Sequence, residues 1–195
     1  MKRSLRKELR ARRRALSPAD HARRSRLAAK AVTALPEFRA GKRIAVYLPF
    51  DRETDTSWLI EAAERRGIQV FVPVISDLRH ARMRFHAHDG ATRPGTFGIE
   101  VPADFVRTVA PRWLDLIVVP LVGVDARGGR LGMGLGFYDR ALGFRRHRRW
   151  RGPRVVGLAF DCQRTDAAFA DPWDLRLDSL ATESGLLHFP PRRHA

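Results

Sequence analysis

The sequence predicts an α/β fold, in which helices cover both faces of a β-sheet. Short apolar segments rich in β-branched residues recur along the chain, and such segments are typical of buried strands. Amphipathic segments with helix start and stop signals lie between them. There is no internal repeat, and 195 residues are enough to bury a substantial core. We therefore expect residues 1–195 to form a single domain.

Two N-terminal helices are expected within residues 1–35. The first covers residues 2–15, where leucines form one stripe and cations occupy the other faces. The second begins with Ser17 as N-cap and Pro18 at the first helical position, both favoured start signals, and runs to about Leu35.

The remaining elements alternate along the chain. Strands are expected over residues 43–48, 69–75, 82–88, 116–122, 155–160 and 177–182. A helix capped by Thr54 or Thr56 follows the first strand, and a weaker helix is expected over residues 103–113. Residues 89–102 have the glycines and prolines of an irregular loop, and residues 171–174 are expected to form a turn. Residues 190–195 are expected to be a disordered tail.

The positive charge is concentrated in two segments. Lys and Arg number 37 against 21 Asp and Glu, which gives a net charge of +16. Residues 1–26 contribute +9 and residues 143–154 contribute +6, so the rest of the chain is nearly neutral. This excludes a protein that is basic over its whole surface, but a nucleic-acid-binding protein remains an alternative. Neither segment interleaves aromatic residues in a stacking pattern, apart from Trp150, and no zinc or helix-turn-helix motif occurs.

The cysteine count and the hydropathy pattern limit the class of protein further. Cys162 is the only cysteine, which excludes an intrachain disulfide and a cysteine metal site. No apolar segment approaches the length of a membrane span, and the N-terminus is charged. We therefore expect a cytoplasmic protein.

A glycine-rich connection between a buried strand and the start of a helix is the most informative segment. Its five glycines are Gly128, Gly129, Gly132, Gly134 and Gly136. Backbone N–H groups can approach an anion closely where side chains are absent, and the first turn of a helix offers unpaired donors and a partial positive charge. The segment therefore predicts phosphate binding, with a glycine-rich surface turn as the alternative. It matches neither a Walker loop nor a dinucleotide fingerprint, since Phe137 stands where the latter requires glycine.

The sequence GRLGMGLGFYDR at residues 129–140 resembles the signature of the 5-formyltetrahydrofolate cyclo-ligase family, also called methenyltetrahydrofolate synthetases. Shorter motifs agree in order and spacing; they are Lys2 to Arg6, Glu53 to Thr56, Phe97 to Pro102, and Asp174 followed by Asp178 and Thr182-Glu183. The resemblance implies a three-layer α/β/α fold with a mostly parallel or mixed sheet, similar to the ribose-phosphate isomerase and CoA-transferase type. It also implies a ligase.

Members of that family close 5-formyltetrahydrofolate to 5,10-methenyltetrahydrofolate while ATP is hydrolysed to ADP and phosphate with Mg²⁺. Such chemistry requires positioning and charge neutralisation, so no protein nucleophile is expected. The implied partners are small molecules, and we expect a monomer. A relative that binds folate and nucleotide without turnover is a further alternative, because Met133, Leu135 and Phe137 differ from residues common in the family.

The resemblance also implies a role for individual residues. ATP would be bound by Lys2, Arg3, Ser4, Leu5 and Arg6 and by Arg130, Leu131, Gly132, Met133, Gly134, Leu135, Gly136, Phe137 and Tyr138. The folate would contact Leu48, Glu53, Met133, Gly134, Leu135, Gly136 and Phe137, and Mg²⁺ would be bound by Asp139 and Asp174. Without the family, Glu53 is interpreted as an exposed loop acid, Asp139 as a helix first-turn charge and Asp174 as a turn cap.

Overall fold

A computed structural model describes residues 1–105, 107–146, 152–171 and 173–190. Residues 191–195 of the expected disordered tail lie outside the described residues, as do residues 147–151 of the second basic segment.

The helices are α1 (Lys2–Arg14), α2 (Pro18–Thr33), α3 (Ser57–Arg65) and α4 (Phe137–Ala141). The strands are β1 (Arg43–Ala45), β2 (Gln69–Asp77), β3 (Arg82–Ala87), β4 (Thr92–Pro94), β5 (Glu100–Pro102), β6 (Thr108–Val109), β7 (Leu116–Pro120), β8 (Gly123–Asp125), β9 (Arg130–Leu131), β10 (Arg154–Leu158), β11 (Arg164–Thr165), β12 (Ser179–Thr182) and β13 (Gly185–His188). Short 3₁₀ turns occupy Thr96–Gly98, Pro111–Trp113, Gly143–Arg146 and Asp161–Gln163.

The main sheet has eight strands in the order β13-β12-β10-β7-β1-β2-β3-β6. The five strands from β12 to β2 are parallel. At the edges, β13 pairs antiparallel with β12, β3 pairs antiparallel with β2, and β6 pairs antiparallel with β3. This mixed, mostly parallel sheet confirms the predicted α/β class. The strands β1 and β7 are neighbours in the sheet. From β1 the chain continues to β2 on one side of this pair, and from β7 it continues to β10 on the other side. Ligands of open α/β sheets bind at such a reversal, beyond the carboxyl ends of the strands.

Both faces of the sheet are covered, as the sequence predicts. On one face, Ile44 and Val118 pack in a buried cluster with Val32 of α2 and Leu59 of α3. On the other face, the buried side chains of Phe85, Ile117 and Val119 pack with Leu142, which directly follows α4, and with Leu177 and Phe189 from the C-terminal segments. No helix within the described residues is long and apolar enough to cross a membrane.

The N-terminal helices follow the predicted pattern closely. Ser17 accepts a hydrogen bond from the N–H of Asp20 at 3.1 Å, which is the expected N-cap. In α1, Leu9 is fully buried against Val122 and Leu131. The apolar stripe of α1 therefore packs on the strands beside the glycine segment.

Three local predictions are wrong. Residues 103–113 do not form a helix, because Thr108 and Val109 pair with β3 at the sheet edge and Pro111 begins a 3₁₀ turn. The segment predicted as an irregular loop, residues 89–102, contains the hairpin β4–β5. Thr56 occupies the N-cap position of α3, but its hydroxyl donates to the carbonyl of Tyr47 at 2.8 Å and makes no cap hydrogen bond.

The glycine-rich connection is also not one continuous loop. Gly128 and Gly129 form the turn between β8 and β9, where Asp125 accepts hydrogen bonds from the N–H groups of Arg127 and Gly129 at 2.9 and 2.7 Å. These two N–H groups are therefore used within the protein and are not available to a phosphate. Only the segment from Gly132 to Gly136 remains as a loop before α4.

Candidate active site

A pocket with a volume of about 640 Å³ lies beyond the carboxyl ends of β1 and β7. Its walls come from α1, the loops after β1 and β9, the hairpin β4–β5 and the turn at residues 171–174. The predicted site residues that line it are Lys2, Arg6, Leu48, Glu53, Arg130, Leu131, Gly132, Met133, Gly134, Leu135, Gly136, Phe137, Tyr138, Asp139 and Asp174. Residues that sequence motifs place far apart in the chain thus surround one cavity.

Three residues assigned to ATP do not line this pocket. Arg3 and Ser4 are exposed, and Leu5 packs beside Leu9 and Leu131. Their positions follow from the helix period, since residues at i and i+4 share a face whereas those between them point elsewhere. Their contacts with ATP stay a prediction.

Lys2 and Arg6 lie one helical turn apart and reach two different walls of the pocket. The Lys2 ammonium donates to Asp171 at 2.6 Å and to Asp174 at 3.1 Å, and the hydrogen bond to Asp171 is the largest effect that raises the pKa of Lys2. Arg6 donates from Nε to the carbonyl of Gly132 at 2.8 Å. Asp174 also accepts the N–H of Asp171 at 2.9 Å, which closes the turn predicted there.

Arg130 and Asp139 form a second ion pair in the same part of the pocket. Arg130 Nη2 lies 3.3 and 3.5 Å from the two carboxylate oxygens of Asp139, and its guanidinium lies 5.3 Å from the ring centre of Tyr138. Asp139 Oδ1 accepts the N–H of Leu175 at 2.8 Å. Since Leu175 directly follows Asp174, this bond brings the two predicted metal-binding carboxylates to the same end of the pocket.

The loop from Gly132 to Gly136 depends on glycine at two positions. Gly134 and Gly136 have φ values of 104° and 73°, a left-handed region that other residues rarely adopt. A Cβ on Gly134 would lie 3.4 Å from the Arg6 guanidinium. The helix that follows, α4, has only five residues, too short for the N-terminal partial charge that the sequence led us to expect. Any phosphate binding here must therefore depend on side-chain cations and loop N–H groups.

Glu53 defines the opposite end of the pocket. Its side chain is buried, with 8% exposure, so the interpretation as an exposed loop acid is wrong. Oε2 accepts the N–H of Phe50 at 3.1 Å, while burial raises the pKa of Glu53 to about 7. Within the described part of the chain, no Lys, Arg or His nitrogen lies within 4.0 Å of this carboxylate. Glu53 is thus a desolvated acid with no ion-pair partner in that part of the chain, although the charges of Arg13 and Arg10 are near enough to oppose the rise of its pKa.

Sequence reasoning missed several pocket residues or left their role open. The turn predicted at residues 171–174 contains Asp171, which binds Lys2, and Trp173, which is 58% exposed at the pocket. Phe97, at the tip of the hairpin β4–β5, also lines it and is 54% exposed. Large apolar side chains left this exposed beside a cavity favour an apolar ligand surface. The sequence could have indicated Trp173, because this residue directly precedes Asp174, a predicted site residue.

Comparison with known proteins places this chain in a family. Residues 1–183 match the model of the 5-formyltetrahydrofolate cyclo-ligase family. The 5-formyltetrahydrofolate cyclo-ligase of Escherichia coli is 35% identical over 179 residues, which are 90% of this chain and 97% of that protein.

Solved structures agree with this result over nearly the whole chain. The 5,10-methenyltetrahydrofolate synthetase of Aquifex aeolicus superposes with a TM-score of 0.81 and 30% identity, covering 100% of this chain and 95% of that one. The enzyme from Mycoplasma pneumoniae gives a TM-score of 0.72 and 27% identity, covering 93% and 98%. Since sequence and fold agree over this length, the chain belongs to the 5-formyltetrahydrofolate cyclo-ligase family of ligases.

Proposed function

We propose that this protein cyclises 5-formyltetrahydrofolate to 5,10-methenyltetrahydrofolate with hydrolysis of ATP to ADP and phosphate in the presence of Mg²⁺. One observation supports this most directly: a single pocket joins an end lined by cations, carboxylates and a glycine loop to an end with a buried carboxylate and apolar walls. The first end suits a nucleotide and the second a heterocycle with N–H donors. We propose that both substrates bind in this pocket together.

The chemical difficulty of the reaction is the formyl oxygen, which is a poor leaving group. Transfer of the γ-phosphoryl group of ATP to that oxygen converts it into a phosphate ester and releases ADP. N10 of the folate then attacks the formyl carbon, the C–O bond breaks, phosphate departs and N10 loses its proton. The protein must hold the two substrates in line and neutralise charge on the moving phosphoryl group.

At the nucleotide end, the donors are Lys2, Arg6 and Arg130. Asp139 and Asp174 would hold Mg²⁺, and this donor set fits the ion because Mg²⁺ takes one or two carboxylates together with phosphate and water oxygens. The bound ion would supply neutralisation of phosphate charge. Lys2 and Arg130 already neutralise these carboxylates by ion pairs in the protein without ligands, and we propose that they become phosphate donors in the complex.

At the folate end, Glu53 is the acceptor for the amino and ring N–H donors of the pterin. A carboxylate removed from water forms stronger hydrogen bonds than an exposed one, because the local dielectric constant is low. Leu48 and Phe97 supply apolar surface beside it, and Met133 to Phe137 form the wall between the two substrates. Polar contacts would then fix the orientation of the pterin, while apolar contacts bury its rings.

The experiment that tests this proposal mixes purified protein with 5-formyltetrahydrofolate, ATP and Mg²⁺ and follows the near-ultraviolet absorbance of the methenyl product. Product should form only when both ATP and Mg²⁺ are present. Omission of each component in turn is the control. Binding of both ligands without product would indicate the inactive relative instead.

Ion pairs formed by the N-terminal cations weaken the nucleic-acid alternative. Lys2, Arg13, Arg14 and Arg24 are engaged in ion pairs, and Arg13 is buried. Cations paired within the protein contribute less to phosphate binding than free ones. A salt-sensitive gel shift by a protein with no ATPase activity would favour this alternative. The monomeric state and the cytoplasmic location stay predictions.

A further inference from the structure

Helix α1 contacts both ends of the pocket. Near its start, Lys2 binds the turn at residues 171–174 and Arg6 binds the carbonyl of Gly132, both at the nucleotide end. In its last turn, Arg13 and Arg14 both bind Asp51, which lies two residues before Glu53. A single helix of 13 residues thus connects the two halves of the proposed site.

The Arg13 side chain makes the more constrained of the two contacts with Asp51. It is 2% exposed, and Nη2 donates to the carbonyl oxygen of Asp51 at 2.7 Å and to its carboxylate at 3.2 Å. Burial of this guanidinium lowers its pKa, and the negative charges of Glu53 and Asp51 oppose that shift. Arg14, in contrast, is 57% exposed at its side chain. A buried charge bonded to both the backbone and the side chain of one residue fixes that residue in place.

The segment that Arg13 holds does not adopt a relaxed backbone. Asp51 and Arg52 have φ values of 50° and 58°, in the left-handed region that non-glycine residues rarely occupy. Two such residues in succession persist only where the surrounding structure holds them. Glu53 follows directly, and its N–H donates to the carbonyl of Phe50 at 3.0 Å across these residues. The position of Glu53 therefore depends on whatever maintains the turn.

The middle of α1 is locked to the strands beside the glycine loop. Leu9 is fully buried with Val122 and Leu131, and the space beside Gly123 is so small that an added Cβ would collide with Leu9. An α-helix of this length moves as one body, because each turn is hydrogen-bonded to the next. Contacts that hold Lys2 and Arg6 in place would consequently also restrain Arg13.

We infer that Arg13 is a positioning residue for Glu53, acting through Asp51, and that α1 couples occupancy of the nucleotide end to affinity for folate. This inference rests on the proposed function. Phosphates bound by Lys2 and Arg6 would fix α1, and α1 would hold the turn at Asp51 and Arg52 with the Glu53 carboxylate facing the pterin. By linkage, bound folate strengthens nucleotide binding by the same factor.

The first test needs no ligand. Hydrogen exchange of the Glu53 amide is compared in the wild type, Arg13→Gln, Asp51→Asn and Arg12→Gln. We expect exchange to be about tenfold faster in Arg13→Gln, faster by a smaller factor in Asp51→Asn, where the bond to the carbonyl of residue 51 remains, and unchanged in Arg12→Gln, because Arg12 pairs with Glu8 on the surface of the same helix. Asparagine tolerates the φ of Asp51, so Asp51→Asn tests the contact even where Arg13→Gln fails to fold. Unchanged exchange in Asp51→Asn and in any folded Arg13→Gln would overturn the inference.

The second test measures binding of 5-formyltetrahydrofolate by calorimetry, with and without Mg²⁺ and a non-hydrolysable ATP analogue. In the wild type, the analogue should tighten folate binding. In Arg13→Gln, folate affinity should fall about tenfold and the tightening should vanish, while affinity for the analogue alone changes less than about twofold. The KM for folate should rise with little change in kcat.

The two proposals can fail separately. Equal losses of folate and nucleotide affinity in Arg13→Gln would show that Arg13 stabilises the whole fold, and would contradict a positioning role. A wild-type protein that binds neither ligand would refute the proposed function, whereas the exchange comparison would still decide whether Arg13 holds the Glu53 turn.

Discussion

The two ends of the pocket differ in whether their charged side chains form ion pairs. At the nucleotide end, the cations Lys2 and Arg130 are paired with the carboxylates Asp174 and Asp139 at 3.1 and 3.3 Å. At the folate end, Glu53 is buried, and its carboxylate accepts the N–H of Phe50. One end contains ion pairs, whereas the other contains a buried acid with no ion-pair partner among the described residues, and burial raises the pKa of this acid to about 7.

This difference suggests what each end is arranged to do. Paired charges cost little in the protein without ligands and can exchange partners when phosphates and a metal ion enter. A buried acid outside an ion pair is costly, and residues held at such a cost cluster at functional sites. The predictions below test this contrast, from the largest expected effect to the smallest.

Asp139→Asn should have the largest effect. The amide oxygen can still accept the N–H of Leu175, so the fold is retained, but the charge that would bind Mg²⁺ is lost. We expect kcat to fall by about 10³-fold or more, with a higher Mg²⁺ requirement. The measurement is product formation across a Mg²⁺ titration, with the exposed Asp104→Asn as control. Full activity in Asp139→Asn would remove this residue from the site.

Glu53→Gln should stabilise the protein at neutral pH. Between pH 4.5 and about 7, the unfolded state has released the Glu53 proton while the folded state retains it. The contribution of Glu53 therefore lowers the free energy of unfolding as pH rises through this window, by up to ~3 kcal/mol, and is constant above it. Urea unfolding at pH 5 and at pH 8 should show the stability gain of the variant increasing with pH. A gain that is absent at pH 8 would mean that the buried carboxylate has a partner.

The same substitution should weaken folate binding. Glutamine keeps the shape of Glu53 but presents an NH₂ group toward the N–H donors of the pterin, so we expect folate affinity to fall by about 30-fold. Nucleotide affinity should be unchanged, because Glu53 lies at the other end of the pocket. Calorimetry with each ligand separately makes this comparison. A variant that binds nucleotide more weakly and folate normally would reverse the assignment of the two ends.

Lys2→Met should have the smallest effect. The Lys2 ammonium is half-exposed, so its attraction for phosphate is partly screened, and we expect the KM for ATP to rise by about tenfold. The KM of the variant should depend less on salt than that of the wild type. Steady-state kinetics at low and high salt provide the measurement, with Lys7→Met on the exposed face of α1 as the matched control.

The N-terminal helices and the strand order along the chain were predictable because their signals are local. Ser17 and Pro18 define the start of α2 without reference to distant residues, and the apolar segment at β7 indicates a strand by composition alone. The family motifs also predicted many of the residues that line the pocket. Where a local signal competed with sheet pairing, as at residues 103–113, the prediction was wrong because pairing with β3 is a long-range contact.

The sequence by itself therefore determined the α/β class and the family, and it predicted many of the residues that line the pocket. Only the tertiary structure decided which charges are paired, that Glu53 is buried, and that Arg13 binds Asp51 from 38 residues away. The N–H groups at Gly129 and Arg127 likewise proved to be occupied by Asp125. The physical reason is the same in each case. Burial and ion pairing depend on distances between segments far apart in the chain, and the local sequence does not specify those distances.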